Sequence, residues 1–370
     1  MKRLRDDDAC PGALQVHQAA DGALARLRLP GGMIAARQLE ALAHTAVEFG
    51  NGTLELTARG NLQLRGIRDT TAVADASVAA GLLPSPTHER VRNIVASPLS
   101  GRVGGVADVR PWVTELDLAI QADAELAHLP GRFLFGLDDG RGDISGLAAD
   151  AGVHVHADGV AVLLAGRDTG VRVAPGDAVP ALITIARRFV QIRGTAWRVA
   201  ELDDPSPLLA GFSATAVAGA QYPPVLRPPV GWIVQDDGLV TLGAAIPLGV
   251  LQSRLAEFVA AIDAPVIITP WRSLLVCDLD EGVADTALRV LAPMGLVFDE
   301  NSPWLDISAC VGSPGCEKSR ADVRAEATRV ALEEDVHGHV HYVGCERACG
   351  SPPAGQVFVA TTEGFRPASR

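Results

Sequence analysis

Apolar and polar positions along this chain repeat one long pattern twice. After Asp21-Gly22 an alternating, strand-like run reaches Leu29 and is stopped by Pro30-Gly31-Gly32. Apolar residues then recur with helical spacing from about Ile34 to Phe49, and Gly50-Asn51-Gly52 closes the helix. Two short extended runs follow, Thr53–Thr57 and Asn61–Ile67. The second occurrence starts at Asp237-Gly238, passes through a strand to Pro247-Leu248-Gly249, and predicts a helix from about Val250 to Ala261. It ends with extended runs at Pro265–Thr269 and Ser273–Leu279. Thr57-Ala58-Arg59-Gly60-Asn61-Leu62 thereby aligns with Thr269-Pro270-Trp271-Arg272-Ser273-Leu274, 212 residues later. Identity is low, but the order of strand, turn, helix and two strands is kept. That predicts a duplicated α+β unit.

A different segment follows each copy. From Val91 to about Ala200 come Gly-rich turns, short strands such as Val160–Leu164 and a helix near Val179 to Arg193. Residues 201–230 are rich in Pro, Gly and Ala and read as a linker. After the second copy comes a cysteine-bearing region from Asn301 onward. The expected organisation is therefore 1–85 and 231–300 as the two copies, 86–200 and 301–370 as the segments that follow them, and 201–230 between the halves.

Composition narrows the function classes. With 370 residues the chain exceeds one ordinary core, and 48% apolar with 21% charged residues is a core-building composition. Acidic groups outnumber basic ones by 44 to 32, a net charge of -12, which argues against a general nucleic-acid binder or a polybasic membrane protein. The longest uncharged stretch, Pro205 to Leu226, contains four prolines and is no membrane span. The amino terminus is basic at Lys2, Arg3 and Arg5 but runs straight into Asp6, Asp7 and Asp8, without the apolar region of a signal peptide. A cytoplasmic location is the expectation. Lys2 and Lys318 are the only lysines, so arginine supplies nearly all the basic charge and an isolated arginine carries little signal.

The six cysteines are placed unevenly. Cys10 and Cys277 stand alone, while Cys310-x5-Cys316 and Cys345-x3-Cys349 crowd into the last 61 residues. Four thiolates suit an iron–sulfur cubane, one at each iron corner. A zinc ion uses the same donors, and reduced core thiols are the plain alternative. Pro314-Gly315 predicts a turn between the first pair, and a helix is expected to start near Cys316 with Val323, Ala327 and Val330 on one apolar face. Its first amides would point toward the anionic group. The second pair follows a predicted strand, Val340–Val343, and precedes Gly350 and Pro352-Pro353.

This cysteine spacing after a duplicated α+β unit resembles the nitrite and sulfite reductase family. Thr57-Ala58-Arg59-Gly60-Asn61-Leu62-Gln63-Leu64-Arg65-Gly66-Ile67 is similar to the family's active-site strand, and Arg92-Asn93-Ile94-Val95-Ala96-Ser97-Pro98-Leu99-Ser100-Gly101 to its second anion-binding motif. The resemblance implies two ferredoxin-like half-domains, each followed by an α/β domain for tetrapyrrole or cluster. It also implies a 4Fe–4S cluster on Cys310, Cys316, Cys345 and Cys349. Substrate contacts are implied at Arg59, Asn61, Arg65, Arg92, Asn93, Arg102 and Arg132.

One motif departs from the reductases. Their third motif presents two basic side chains two residues apart, whereas Leu129-Pro130-Gly131-Arg132-Phe133-Leu134 offers Arg132 and Leu134. Reduction of a small oxyanion needs a dense positive pocket, so the loss of one cation points elsewhere within the family. The implied alternative is an oxidoreductase that takes a reduced tetrapyrrole as substrate, in place of sirohaem as cofactor. It would hydroxylate that substrate with dioxygen and an electron donor, either NADH or a reductase or ferredoxin. Guanidinium groups suit the substrate's carboxylates by two-point pairing. Such an enzyme is also expected to need a mononuclear non-haem iron. His337, His339 and His341 alternate along the predicted strand toward Cys345, which puts all three on one face as candidate ligands, and His154-Val155-His156 is a second such pair. A sirohaem-dependent sulfite or nitrite reductase and a non-catalytic iron–sulfur electron carrier are the competing readings.

Overall fold

The computed structural model describes residues 10–368, so the basic-then-acidic run from Lys2 to Asp8 lies outside the described residues. Two compact units divide the chain. Among the described residues, one takes Cys10–Gly12, Arg28–Gly32 and Leu83–Val225; the other takes Ala13–Leu27, Met33–Leu82 and Leu226–Ala368.

The first predicted copy lies in the second of these units. It comprises β1 (His17–Ala19), β2 (Gly22–Leu27), β3 (Met33–Ile34), α1 (Ala36–Phe49), β4 (Thr53–Leu56), β5 (Leu62–Ile67) and α2 (Thr70–Ala79). Leu39, Leu42, Ala43 and Ala46 form the buried face of α1, as the helical spacing predicts. Asp69 caps α2 by accepting the Ala72 N–H at 3.0 Å.

The other unit is built on β6 (Ile94–Ala96), α3 (Arg110–Ala122), β7 (Phe135–Asp138), β8 (Ala151–His156), β9 (Gly159–Leu164), β10 (Arg167–Val173) and α4 (Ala178–Ile192). Its sheet runs β10-β9-β8-β7-β6, with β6, β7 and β8 parallel and the rest antiparallel. The rings of Phe133, Phe135 and Phe189 fill its core, with centroids 5.0 Å apart. The predicted strand and helix of this segment appear as β9 and α4, whereas α3 was not foreseen. The predicted linker needs correcting as well. Ala214 and Gln221 bridge Val171 and Arg167 of β10, Gly219 N–H donates to the Asp168 carbonyl at 2.7 Å, and Leu208 is fully buried. Residues 214–221 thus cover an edge strand, a use that their Pro- and Gly-rich composition hides.

The second copy returns to the unit that holds the first. It runs β11 (Gly231–Val234), β12 (Val240–Ala245), β13 (Val250–Gln252), α5 (Ser253–Ala260), β14 (Val266–Ile268), β15 (Ser273–Leu279) and α6 (Glu281–Leu291). The two copies exchange a strand. The sheets are β1-β2-β5-β4-β13 and β11-β12-β15-β14-β3, so the short strand after the Pro-containing turn of each copy joins the sheet of the other. Leu54 pairs with Leu251 in one sheet and Val266 with Ile34 in the other. This exchange explains why α1 and α5 begin later than helical periodicity predicts. Ile34 and Val250 are committed to antiparallel ladders before either helix starts, and tertiary pairing outweighs local propensity.

The chain ends in β16 (Ile307–Ala309), α7 (Val323–Glu333), β17 (Val340–Val343), β18 (Gln356–Thr361) and β19 (Gly364–Pro367). These strands pair in sequence order, parallel from β16 to β18 and then antiparallel to β19. Val323, Ala327 and Val330 of α7 pack with Ile307, Ala309, Val340 and Tyr342 in one core. Among the described residues, no helix is long and apolar enough to cross a membrane.

Leu54 and Leu251 are both fully buried at the exchanged ladder. Leu54→Ala and Leu251→Ala are each expected to cost about 2–5 kcal/mol in denaturant unfolding. The double variant should cost less than the sum, because the two side chains share one contact.

Candidate metal centre

Both cysteine pairs sit at the carboxyl ends of neighbouring parallel strands. Cys310 directly follows β16, and Cys345 lies two residues beyond the end of β17. The ladder pairs Ala309 with Tyr342, and Cys310 N–H donates to the Tyr342 carbonyl at 2.9 Å. Carboxyl ends of parallel strands are where open α/β sheets place ligands.

The other three cysteines lie near enough to Cys349 for their charges to act on it. Burial pushes the Cys349 thiol above its ordinary pKa, and the charges of Cys310, Cys345 and Cys316 push it further. All six cysteines are free of disulfides. Gly344 N–H donates to the Cys310 Sγ at 3.3 Å, a donor that stabilises a thiolate. A side chain at Gly344 is impossible here, since its Cβ would lie 1.8 Å from the Ser319 Oγ. Among the described residues no three of the sulfurs lie within 4.8 Å of one another. One tetrahedral zinc with bonds of about 2.3 Å would need neighbouring sulfurs about 3.8 Å apart. Four thiols could hold either a polynuclear iron–sulfur group or a single ion.

Arg65 braces the first cysteine loop. Its Nε and Nη2 pair with the Asp21 carboxylate at 3.0 and 2.8 Å, and Nη2 also donates to the Gly315 carbonyl at 2.8 Å. His339 Nε2 and His341 Nδ1 each lie 2.8 Å from the Ser308 Oγ, and His341 Nε2 donates to the Cys349 carbonyl at 3.0 Å. Burial pushes His341 down to about 4, so its ring is neutral near pH 7 and Nδ1 accepts.

Residues 17–74 match the nitrite/sulfite reductase ferredoxin-like half domain. A precorrin-3B synthase of Sinorhizobium sp. is 29% identical, over 96% of this chain and 81% of that protein. A ferredoxin–nitrite reductase of Synechococcus elongatus is 25% identical, over 90% of this chain and 75% of that protein. The solved structure of Mycobacterium tuberculosis NirA shares the fold, with a TM-score of 0.77 at 19% identity, covering 93% of this chain and 74% of that one. The chain thus carries a nitrite/sulfite reductase ferredoxin-like half domain and is similar over most of its length to a precorrin-3B synthase and a nitrite reductase.

The residues expected to touch substrate separate into distinct roles. Arg59, Asn61 and Arg65 lie in the unit that carries the cysteines; Arg92, Asn93, Arg102 and Arg132 lie in the other. Arg59 is half-buried in the β4–β5 turn, and Asn61 is buried beside it. Arg65 is a brace for the cysteine loop. Arg92 is buried against Asp117, to which Nε and Nη2 donate at 2.6 and 2.8 Å. Asn93 Nδ2 donates to the carbonyls of Arg90 and Gly131 at 3.0 and 2.9 Å, tying the second motif to the third. Arg102 is buried; with Arg110, which acts more strongly, it holds Asp108 below its ordinary pKa. Arg132 is exposed and stacks over Trp197 at 5.2 Å, whereas Leu134 is core, 5% exposed.

Two expectations are corrected. Strand β17 starts at Val340, and Gly338 at φ +76 breaks the alternation, so His337 falls in an exposed turn. The imidazoles of His339 and His341 are committed to Ser308 and the Cys349 carbonyl, and among the described residues the three histidines do not gather as a metal site. The helix expected near Cys316 begins only at Val323, and the Asp322 side chain takes its first amides, those of Arg324 and Ala325, at 3.1 and 3.0 Å. Those amides are therefore spent on a cap. Likewise His154 of the second pair bonds Ser145 at 2.9 Å and stacks on Tyr222.

Sequence reasoning missed an acidic hub at the end of β7. Asp138 accepts the amides of Gly140, Gly142, Ile144 and Ser145, Asp139 pairs with Arg141, and Asp143 accepts from Ser97. Burial, with the nearby Asp138 charge, pushes Asp143 up to about 7. Because that carboxyl stays protonated in the fold while the unfolded chain ionises near pH 4, stability falls as pH rises from about 4 to about 7. Asp143→Asn should match the wild type in thermal melts near pH 4. It should exceed it by roughly 4 kcal/mol at pH 8.

Proposed function

We propose that the protein is a precorrin-3B synthase, an oxidoreductase that hydroxylates precorrin-3A with dioxygen, with lactone formation, in aerobic cobalamin biosynthesis. The observation that carries this reading is the burial of Leu134 in the third anion motif, together with similarity to a precorrin-3B synthase over nearly the whole chain. A sirohaem sulfite or nitrite reductase would need a second cation there to hold a small oxyanion. Here that position is filled by core.

Cys310, Cys316, Cys345 and Cys349 would hold a 4Fe–4S cluster, which supplies one-electron transfer when bound. Gly344 N–H steadies Cys310, and Arg65 fixes the loop between Cys310 and Cys316. Arg59 presents a guanidinium to a carboxylate of the substrate in the two-point manner that lysine lacks. Asn61 fixes the same turn, its N–H donating to the Thr57 Oγ1 at 3.1 Å. Arg132, exposed over the Trp197 face, is the further partner proposed for a substrate carboxylate. Arg92 and Asn93 act by holding the backbone that carries Arg132. One oxygen atom of dioxygen enters the product and the other leaves as water, using two electrons from a donor such as NADH or a reductase or ferredoxin. The ligands of a mononuclear iron are assigned to none of the histidines named above. The expected location is the cytoplasm.

Iron and acid-labile sulfide counts, with dioxygen-dependent turnover of the reduced tetrapyrrole, test the proposal. A strongly coloured sirohaem in the purified protein would favour the reductase reading instead. Cys310→Ser and Cys349→Ser should each abolish both the brown colour and turnover; activity in a cluster-free variant would refute the redox role. Arg59→Ala should weaken substrate binding about tenfold or more while iron content is unchanged. Lost iron with normal binding would reverse that assignment.

A further inference from the structure

Two consecutive carbonyls at the end of the second cysteine loop are held by side chains from different elements. His341 Nε2 donates to the Cys349 carbonyl at 3.0 Å, and Arg272 Nη2 donates to the next one, that of Gly350, at 3.2 Å. Arg272 occupies the β14–β15 turn, which repeats the β4–β5 turn bond for bond. Thr57 N–H donates to the Asn61 carbonyl and Thr269 N–H to the Ser273 carbonyl, both at 2.9 Å. Gly60 N–H donates to the Thr57 carbonyl at 3.2 Å, and Arg272 N–H to the Thr269 carbonyl at 3.1 Å. Gly60 has φ +64 and Arg272 φ +57. Glycine is the unstrained residue for this turn, so the second copy keeps an arginine against a backbone preference.

What the arginine gains is contact with the cysteine loop. Its stem lies on Gly249, where a Cβ would meet it at 3.1 Å, and its Nη2 sits 2.7 Å from where a Gly350 Cβ would be. Among the described residues it forms no salt bridge. Glu55, whose charge acts on it most strongly among the acids, is bonded to Arg324 and Gln63. Burial pushes the guanidinium's pKa down, while the Cys310 charge supports its ionised form. A partly desolvated cation without a carboxylate of its own is costly unless another anion faces it. The thiolates of a cysteine-held cluster, Cys310 nearest among them in its effect, would be that anion.

We propose that Arg272 is a positioning and charge-tuning residue for the cysteine-held cluster: it fixes the Gly350 carbonyl behind Cys349 and raises the reduction potential by favouring the added electron. This rests on the four cysteines holding a 4Fe–4S group. The redox step is the transfer of one electron from a one-electron reductant to the cluster, with no bond made or broken.

The test compares anaerobically reconstituted wild type, Arg272→Gly and Arg272→Lys. Wild-type protein lacking iron and acid-labile sulfide would defeat the cluster reading itself, whatever Arg272 does. With equal iron and sulfide in all three, potentials are read by dithionite titration followed by visible absorbance and electron paramagnetic resonance. Arg272→Gly is expected at a more negative potential than wild type, with apo-protein that melts no lower because glycine suits the turn. Arg272→Lys should recover most of the shift. A fully loaded Arg272→Gly at the wild-type potential overturns the proposal. If the glycine variant cannot keep its iron, Arg272→Gln makes the same comparison: a lowered potential supports the assignment and an unmoved one refutes it.

Discussion

Four cysteine sulfurs gathered at the ends of two adjacent parallel strands repel one another as soon as they ionise. Desolvation and the other three sulfurs drive Cys349 up, the direction expected when thiolates lack a cation among them. Such a cluster of donors is tolerable in a folded protein when a metal group neutralises it. The local structure prepares for that charge by aiming Gly344 N–H at Cys310 and by keeping carboxylates paired elsewhere.

The loops bearing those sulfurs are irregular, and their geometry is imposed from outside them. Arg65 reaches the Gly315 carbonyl from the first half-domain, Arg272 reaches the Gly350 carbonyl from the second, and His341 holds the Cys349 carbonyl from within the terminal sheet. The strand exchange ties the two half-domains together through Leu54–Leu251 and Val266–Ile34. Arg65 and Arg272 are thereby anchored on rigid sheets, and rigid support is what a preorganised site needs.

Much of this was legible in the sequence. The duplication showed because both copies keep the same punctuation, Pro30-Gly31-Gly32 and Pro247-Leu248-Gly249, before a helical stripe. Val340–Val343 appeared as a strand with the expected limits. What sequence could not reveal was pairing at a distance. Ile34 and Val250 have helical neighbours but are drawn into strands by partners more than 190 residues away. His337 fails for a local reason, a glycine in the left-handed region, which an alternating pattern does not register. The arginines were hardest. Nothing in the one-dimensional pattern distinguishes Arg65 and Arg92, each locked to an aspartate, from the exposed Arg132, because their partners Asp21 and Asp117 lie 44 and 25 residues away.

The two copies of the β-turn show how a duplicated unit divides its labour. Each copy has a Thr whose hydroxyl and amide organise the turn, then two residues in ordinary conformation, then one in the left-handed region. In the first copy the basic side chain is Arg59 and glycine takes the left-handed position, so the turn is unstrained and its arginine is half-buried. In the second copy Trp271 and Arg272 reverse the arrangement, and the arginine is swung onto Gly350 beside the last cysteine. A shift of one residue within an otherwise identical hydrogen-bonded turn redirects a guanidinium by the full change in Cα–Cβ direction that the left-handed conformation brings. The backbone cost of that conformation, about 1–2 kcal/mol, is of the size a charge-assisted hydrogen bond returns. Balance between these terms is what lets one turn serve a carboxylate-bearing substrate in one copy and a cluster loop in the other.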